Sequence, residues 1–339
     1  MDFLPADRPF LIAEAGVNHN GKEKLALELV DAAKDAGADA VKFQTFSADK
    51  LAAAGAPKAE YQKRAGSGSQ RDMLRALELS REAHRAVVKR CERLGLRFMS
   101  TPFDEDSADF LESLGMELFK VPSGEVTNHA LLAHIGAKKK PVILSTGMSD
   151  LSEVRAAVDV LSGAGAAKIV VLHCVSNYPA ADADVNLRAM KTMGDDLGLP
   201  AGYSDHTLGL EISFAAAALG ARVIEKHFTL DKKLPGPDHA MSLNPAELKR
   251  LASGLRRVAS SLGDGVKAPR PSELEVRSVA RRSVVLAKGA KAGMKLSEAR
   301  LALKRPATGI PANELPKVIG RTLARDLPAD TILQWDMLR

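Results

Sequence analysis

Short β-rich runs alternate with helix-patterned segments eight times between residues 10 and 262, and this repetition constrains the fold more than any other feature of the chain. The runs are Phe10-Leu11-Ile12-Ala13, Ala40-Val41-Lys42-Phe43, Leu96-Arg97-Phe98-Met99, Leu118-Phe119-Lys120-Val121, Val142-Ile143-Leu144-Ser145, Lys168 to Leu172, Ala201-Gly202-Tyr203 and Val223-Ile224-Glu225-Lys226. Apolar residues at helical spacing fill segments near 24–36, 81–94, 105–114, 128–136, 151–162, 186–197, 209–219 and 245–261, several ending at glycine. Residues 47–72 read as a long polar loop. Eight strands joined by seven crossover helices, with a final helix after the last strand, predict an α/β fold: a closed (β/α)8 TIM barrel.

A barrel of this kind needs about 250 residues, so a chain of 339 carries something more. Between 263 and 277 the composition shifts to Gly, Pro, Ser and charge, which predicts a linker between a barrel over 1–262 and a module over 278–339. That module has a short strand at Ser283 to Ala287, a turn of helix near Leu296 to Leu301 and a proline-rich loop from Pro306 to Pro316. Its few apolar positions predict a small core. No apolar run reaches the roughly 20 residues of a membrane span, and the N-terminus lacks the basic and apolar regions of a signal peptide, so the expected location is cytoplasmic. Cys91 and Cys174 have no CxxC spacing and read as buried thiols. The net charge of +6 comes from dispersed Lys and Arg with only 4% aromatic residues, which argues against nucleic acid and for an anionic small-molecule substrate.

Active sites of such barrels lie at the C-terminal ends of the strands. There the sequence places Glu14, Lys42 with Gln44, Thr101, Lys120 with Ser123 and Glu125, Ser145, Tyr178 beyond strand six, and Ser204. His206 and His227 follow strands seven and eight, where adjacent strand ends bring two imidazoles within reach of one metal ion. A lone histidine is more often a structural hydrogen-bonding group, which is the reading for His84, His129, His134 and His173; His19 and His239, in motif loops, stay open between that and lining the site. Lys42 and Lys120 interrupt apolar strands, and a buried ammonium needs an anionic neighbour or ligand. Two cations, a ring of hydroxyls, several carboxylates and two histidines describe a small, highly anionic substrate handled with a divalent metal.

Seven segments in order resemble the sialic acid (nonulosonate) synthase family: Ile12 to Gly21, Val41-Lys42-Phe43-Gln44-Thr45, Phe119 to Glu125, Ser145-Thr146-Gly147-Met148, Gly202-Tyr203-Ser204-Asp205-His206-Thr207, Glu225-Lys226-His227-Phe228-Thr229, and Pro235-Gly236-Pro237-Asp238-His239. The tail, with Arg281-Arg282-Ser283-Val284-Val285, is similar to that family's C-terminal antifreeze-like (SAF) domain. The resemblance implies condensation of phosphoenolpyruvate with an N-acyl mannosamine-type sugar, N-acetylmannosamine first among them, giving a nonulosonic acid and phosphate by C–O cleavage. It implies Mn²⁺ on His206 and His227. It also implies phosphate contacts from Lys120, Ser123, Ser145 and Ser204, and carboxylate contacts from Lys42 and Thr101 with Gln44 nearby. Glu14, Glu125 and Glu225, with Lys42 and Lys120, are the implied catalytic set. Glu14, Tyr178 and Asp238 would hold the sugar, joined across a domain-swapped homodimer by either Arg281 or Arg282.

Tyr61-Gln62-Lys63-Arg64-Ala65-Gly66 lacks an asparagine found in many members, and Ser176 stands where relatives can have asparagine. Either difference would alter preference among acyl sugars. The alternatives are a legionaminate or spore-coat-type synthase, another phosphoenolpyruvate aldol synthase of the deoxy-heptulosonate or deoxy-octulosonate phosphate type, and a Schiff-base aldolase using Lys120. An ice-binding tail is disfavoured by its basic Arg281-Arg282 pair.

Overall fold

In the computed structural model, which describes residues 3–59, 62 and 68–339, period-two strands and glycine-terminated helices assemble the expected barrel. The strands are β1 Phe10–Gly16, β2 Ala40–Thr45, β3 Arg97–Pro102, β4 Phe119–Val121, β5 Val142–Ser145, β6 Ile169–Cys174, β7 Ala201–Asp205 and β8 Val223–His227. All lie in parallel in one eight-stranded sheet of order β3-β2-β1-β8-β7-β6-β5-β4; β1 pairs with β8, and β3 and β4 stand side by side at the seam, with no ladder pairing among the described residues. The surrounding helices are α1 Glu23–Ala36, α2 Ala48–Leu51, α3 Gln70–Leu77, α4 Arg81–Leu94, α5 Glu105–Ser113, α6 His129–Gly136, α7 Leu151–Ala164, α8 Arg188–Leu197, α9 Glu211–Ala218 and α10 Pro245–Leu262. Local signals set their ends. Asp150 and Glu153 form a capping box on α7, Asn244 and Glu247 another on α10, and Gly37 and Gly95 close α1 and α4 in the left-handed conformation.

The segment 47–72, read as loop, contains α2 and the start of α3. A capping box between Ser69 and Asp72 starts α3, and its Met73 and Leu77 bury against Val17 and Phe46. Four turn-forming residues upstream hid that signal.

Strand alternation divides the barrel residues between two cores. Odd-numbered Leu11 and Ala13, with Val41, Phe43, Tyr203 and Ile224, pack outward against the helices. Phe10, Ile12, Ala40, Met99, Leu118, Ile143, Val170, Leu172 and Val223 fill the interior. Continuing the same inward parity toward the C-terminal ends gives Glu14, Lys42, Thr101, Lys120, Ser145, Ser204 and Glu225. The barrel is therefore apolar at its floor and polar at its mouth.

Contacts divide the chain into Met1–Gly263 and Asp264–Arg339. The second unit has an antiparallel sheet of β9 Ser283–Leu286, β10 Leu301–Lys304 and β11 Thr331–Ile332 in the order β10-β9-β11, with helices α11 Leu274–Ala280 and α12 Leu315–Val318. Val284, Leu286, Ala290, Leu296, Ile310, Val318, Leu323, Leu327 and Leu333 give it its own core. The stretch read as linker is thus helical from Leu274, where helix-forming residues follow Pro271. Among the described residues no helix is long and apolar enough to cross a membrane.

Candidate active site

The strand ends enclose a cavity of about 430 Å³ lined by Glu14, Lys42, Gln44, Thr101, Lys120, Ser123, Ser145, Tyr178, Ser204, His206, Glu225 and His227. Sequence separation between these residues is large, and only the inward parity of eight strands brings them together. Gly16 permits part of this approach: its φ is +54°, and a Cβ there would lie 3.3 Å from both Glu14 Oε1 and His227 Cε1.

Four buried charges alternate across the cavity floor. Lys42 Nζ lies 2.9 Å from Glu14 Oε2 and 3.7 Å from Glu225 Oε1, and Lys120 Nζ lies 3.8 Å from the same Glu225 oxygen. Lys42 donates to Thr101 Oγ1 at 3.0 Å; Lys120 donates to Ser145 Oγ at 2.7 Å and to the Val121 carbonyl at 3.1 Å. Ser204 donates to Glu225 Oε1 at 3.2 Å, and Glu225 Oε2 has no hydrogen bond among the described residues. Glu14 Oε2, though close to Lys42, likewise has no hydrogen bond among the described residues. These atoms are arranged to be completed by a ligand.

Protonation follows from the same arrangement. Burial drives the Glu14 carboxyl up to about 7 against the pull of Lys42. Burial acts the same way on Glu225, but Lys120 and Lys42 outweigh it and hold this carboxyl below its ordinary range. Burial disfavours the Lys42 ammonium, yet Glu14 and Glu225 more than compensate, whereas for Lys120 burial prevails and its pKa falls. Two carboxylates one strand apart therefore differ, one near neutrality and one firmly ionised.

The two imidazoles stand with ring centroids 5.7 Å apart. Tyr178 stacks on His206 at 4.1 Å and meets His227 edge-on at 5.9 Å. His206 Nδ1 lies 2.8 Å from the Val175 carbonyl, which can only accept, so Nδ1 carries a hydrogen; burial disfavours the charged ring, but Cys174 and that carbonyl outweigh it and raise the pKa, and Nε2 offers its lone pair when the ring is neutral. Burial pushes His227 well below the ordinary histidine range, and its buried Nδ1 has no hydrogen-bond partner among the described residues. Asp238 Oδ2 is 4.0 Å away, its carboxyl raised by burial to about 6. An orphaned imidazole nitrogen, a second imidazole with an open lone pair and nearby carboxyls fit a divalent ion that accepts N and O donors. Among the described residues no three His, Cys, Asp or Glu side chains form a closed metal cage, so substrate and water oxygens would have to complete the coordination.

Other expected residues fall elsewhere. Glu125 sits on a 3-10 turn after Pro122, accepts a 2.6 Å hydrogen bond from Asn128, and does not line the cavity. Asp238 is buried behind His227 rather than on the cavity wall. Arg281 and Arg282 are exposed residues of the second unit, just before β9. His19 and His239 turn to structural partners, the Gly21 N–H and Thr229 with Asn20. Gln62 and Ser176 line the cavity, while Tyr61, Lys63, Arg64, Ala65 and Gly66 lie outside the described residues. Cys174, read only as a buried thiol, faces the cavity with Sγ 3.7 Å from His206 Nδ1. Its place two residues after Leu172, on the inward parity, was the available signal. Leu51, Ala59, Leu74 and Phe103 add an apolar wall that sequence reasoning missed.

Comparison with known proteins matches residues 29–267 to the NeuB family and residues 281–339 to the SAF domain. The chain is 51% identical to an N,N'-diacetyllegionaminic acid synthase of Legionella pneumophila, over 96% of this chain and 94% of that protein. It is 45% identical to an N,N'-diacetyllegionaminic acid synthase of Campylobacter jejuni, over 96% of this chain and 99% of that protein. Among solved structures, an N-acetylneuraminic acid synthetase from Leptospira borgpetersenii aligns with a TM-score of 0.71 and 34% identity, covering 80% of this chain and 92% of that one.

Proposed function

The chain belongs to the NeuB family, and from that premise we propose that it condenses phosphoenolpyruvate with a diacetamido mannose-type sugar and water, giving N,N'-diacetyllegionaminate and phosphate. The observation that carries this reading is the buried Glu14–Lys42–Glu225–Lys120 network facing a histidine pair. N-acetylmannosamine, the sugar first expected, gives way to the legionaminate alternative because the two relatives named for that product are more similar in sequence than the N-acetylneuraminate enzyme. The wall of Leu51, Ala59, Leu74 and Phe103 supports it, since deoxy carbons and acetyl methyls suit an apolar surface better than hydroxymethyl groups do.

In this reading Lys42 and Thr101 take the phosphoenolpyruvate carboxylate. Lys120, Ser145, Ser204 and Ser123 take the phosphate; Ser123 Oγ already accepts from the Gly147 N–H at 2.9 Å, which frees its own hydrogen to donate. A divalent ion, Mn²⁺ here, held by His206 and His227 would supply Lewis-acid polarisation of the sugar aldehyde. Carbon three of phosphoenolpyruvate bonds to the aldehyde carbon, and the aldehyde oxygen gains a proton from Glu14, whose pKa near 7 lets it carry one. Water adds to carbon two and gives one proton to ionised Glu225; breaking the C–O bond then releases phosphate, which takes the remaining hydroxyl proton, and leaves the 2-keto acid. Exposed apolar side chains at Val266, Leu274, Val276 and Val279 in the second unit support a homodimer, because a soluble monomer seldom leaves such a run uncovered.

Steady-state comparison of sugars tests the substrate assignment. The diacetamido sugar should exceed N-acetylmannosamine in kcat/KM by about tenfold or more, the range one group contributes in a shaped pocket. Equal values, or the reverse order, would reject legionaminate.

A further inference from the structure

Two residues of the histidine-bearing segments have no part in the chemistry above. Asp205 precedes His206 and Lys226 precedes His227, yet both point away from the cavity, because alternation sends Ser204, His206, Glu225 and His227 inward. They are register partners on β7 and β8, with Lys226 Nζ 2.7 Å from Asp205 Oδ2 and side chains 2% and 0% exposed. The pair's other hydrogen bonds go to Thr207, just past the end of β7, and to Ser213 on α9. Asp205 Oδ1 accepts from the Thr207 N–H at 2.9 Å and the Thr207 hydroxyl at 2.7 Å, and Oδ2 accepts from Ser213 Oγ at 2.5 Å. Lys226 Nζ also donates to the Thr207 carbonyl at 2.8 Å. His206 is thus gripped on both sides, at Asp205 and at the N–H, C=O and hydroxyl of Thr207, and the grip is tied across strands to the residue preceding His227.

A buried ion pair rarely outperforms apolar side chains of similar size as a source of stability; what it adds is geometric specificity. We propose that the Asp205–Lys226 pair is a clamp that fixes the separation and orientation of the His206 and His227 imidazoles, a positioning pair behind the metal site. This rests on the metal reading above.

The test uses the full-length chain with Asp205→Asn and Lys226→Met combined, which removes both charges together and leaves neither buried alone. Mn²⁺ binding is followed by the electron paramagnetic resonance signal of the free ion, with His206→Ala as the baseline, alongside thermal unfolding and the KM for phosphoenolpyruvate. The clamp predicts a folded protein whose Kd for Mn²⁺ rises about tenfold or more, while the KM for phosphoenolpyruvate at saturating Mn²⁺ changes less than about threefold, since of its proposed contacts only Ser204 adjoins the pair and Lys42, Thr101, Lys120, Ser123 and Ser145 stand on or after other strands. A folded double variant with wild-type Mn²⁺ affinity overturns the clamp, as does an equal loss of both affinities, which would mark a general distortion. Should that variant not fold, Ser213→Ala removes one hydrogen bond to Asp205 and no charge. It should raise the Mn²⁺ Kd about threefold, and an unchanged value overturns the proposal. Wild-type protein that binds no more Mn²⁺ than His206→Ala overturns the metal reading itself, and the clamp with it.

Discussion

Glu14 shows how one buried side chain can couple a site to its ligand. With Glu14 ionised, the charges of Glu14, Glu225, Lys42 and Lys120 cancel; with Glu14 protonated, the cluster carries one net positive charge. An anionic substrate favours the second state, so binding should take up a proton, and affinity should fall as pH rises through the Glu14 pKa of about 7. Calorimetry of phosphoenolpyruvate binding at pH 7, in buffers of different ionisation heat, reads that proton directly. Wild-type protein should take up a fraction of a proton that Glu14→Gln lacks. Equal uptake in both would assign the proton to the ligand and remove Glu14 as its carrier.

Among elements, β7 is closely confined on both sides. Gly202 faces inward, and a Cβ there would meet the Val223 carbonyl oxygen at 2.4 Å and Leu172 Cδ2 at 2.7 Å. Gly202→Ala must therefore push β7 off β8 and β6, at a cost of about 1–3 kcal/mol, which for a domain of this size lowers Tm by roughly 2–10 °C. Because Ser204 and His206 lie downstream on the same strand, kcat/KM should fall as well. Unchanged Tm and activity would show that the barrel interior is looser at this point than the packing implies. The barrel and most of its mouth were legible in the sequence because lysines inside apolar strands stand out against their surroundings. Cys174 was not, since a thiol reads as one more apolar position. Nor was the Asp205–Lys226 pair, whose members meet only through a strand register that no single segment encodes. Glu125 was placed with the catalytic carboxyls by its nearness to β4, but the turn after Pro122 redirects it to Asn128. The start of α3 was hidden by its polar, turn-rich approach, although the Ser69 and Asp72 capping box is written there.

At the scale of the whole molecule, the chain carries two units with separate cores, and the described residues that line the cavity all belong to the larger. Its net charge of +6 suits recruitment of an anionic substrate to a mouth with two buried lysines. The central claim is that this mouth joins phosphoenolpyruvate to an amino sugar with rupture of the C–O bond. The most direct measurement supplies phosphoenolpyruvate labelled with ¹⁸O at the bridging oxygen, Mn²⁺ and a panel of acyl sugars, and follows released phosphate and product by mass spectrometry. One phosphate per sugar consumed is expected, carrying the bridging ¹⁸O, together with a nine-carbon 2-keto acid. Phosphate that leaves the label behind, or no phosphate with any sugar, would contradict that claim.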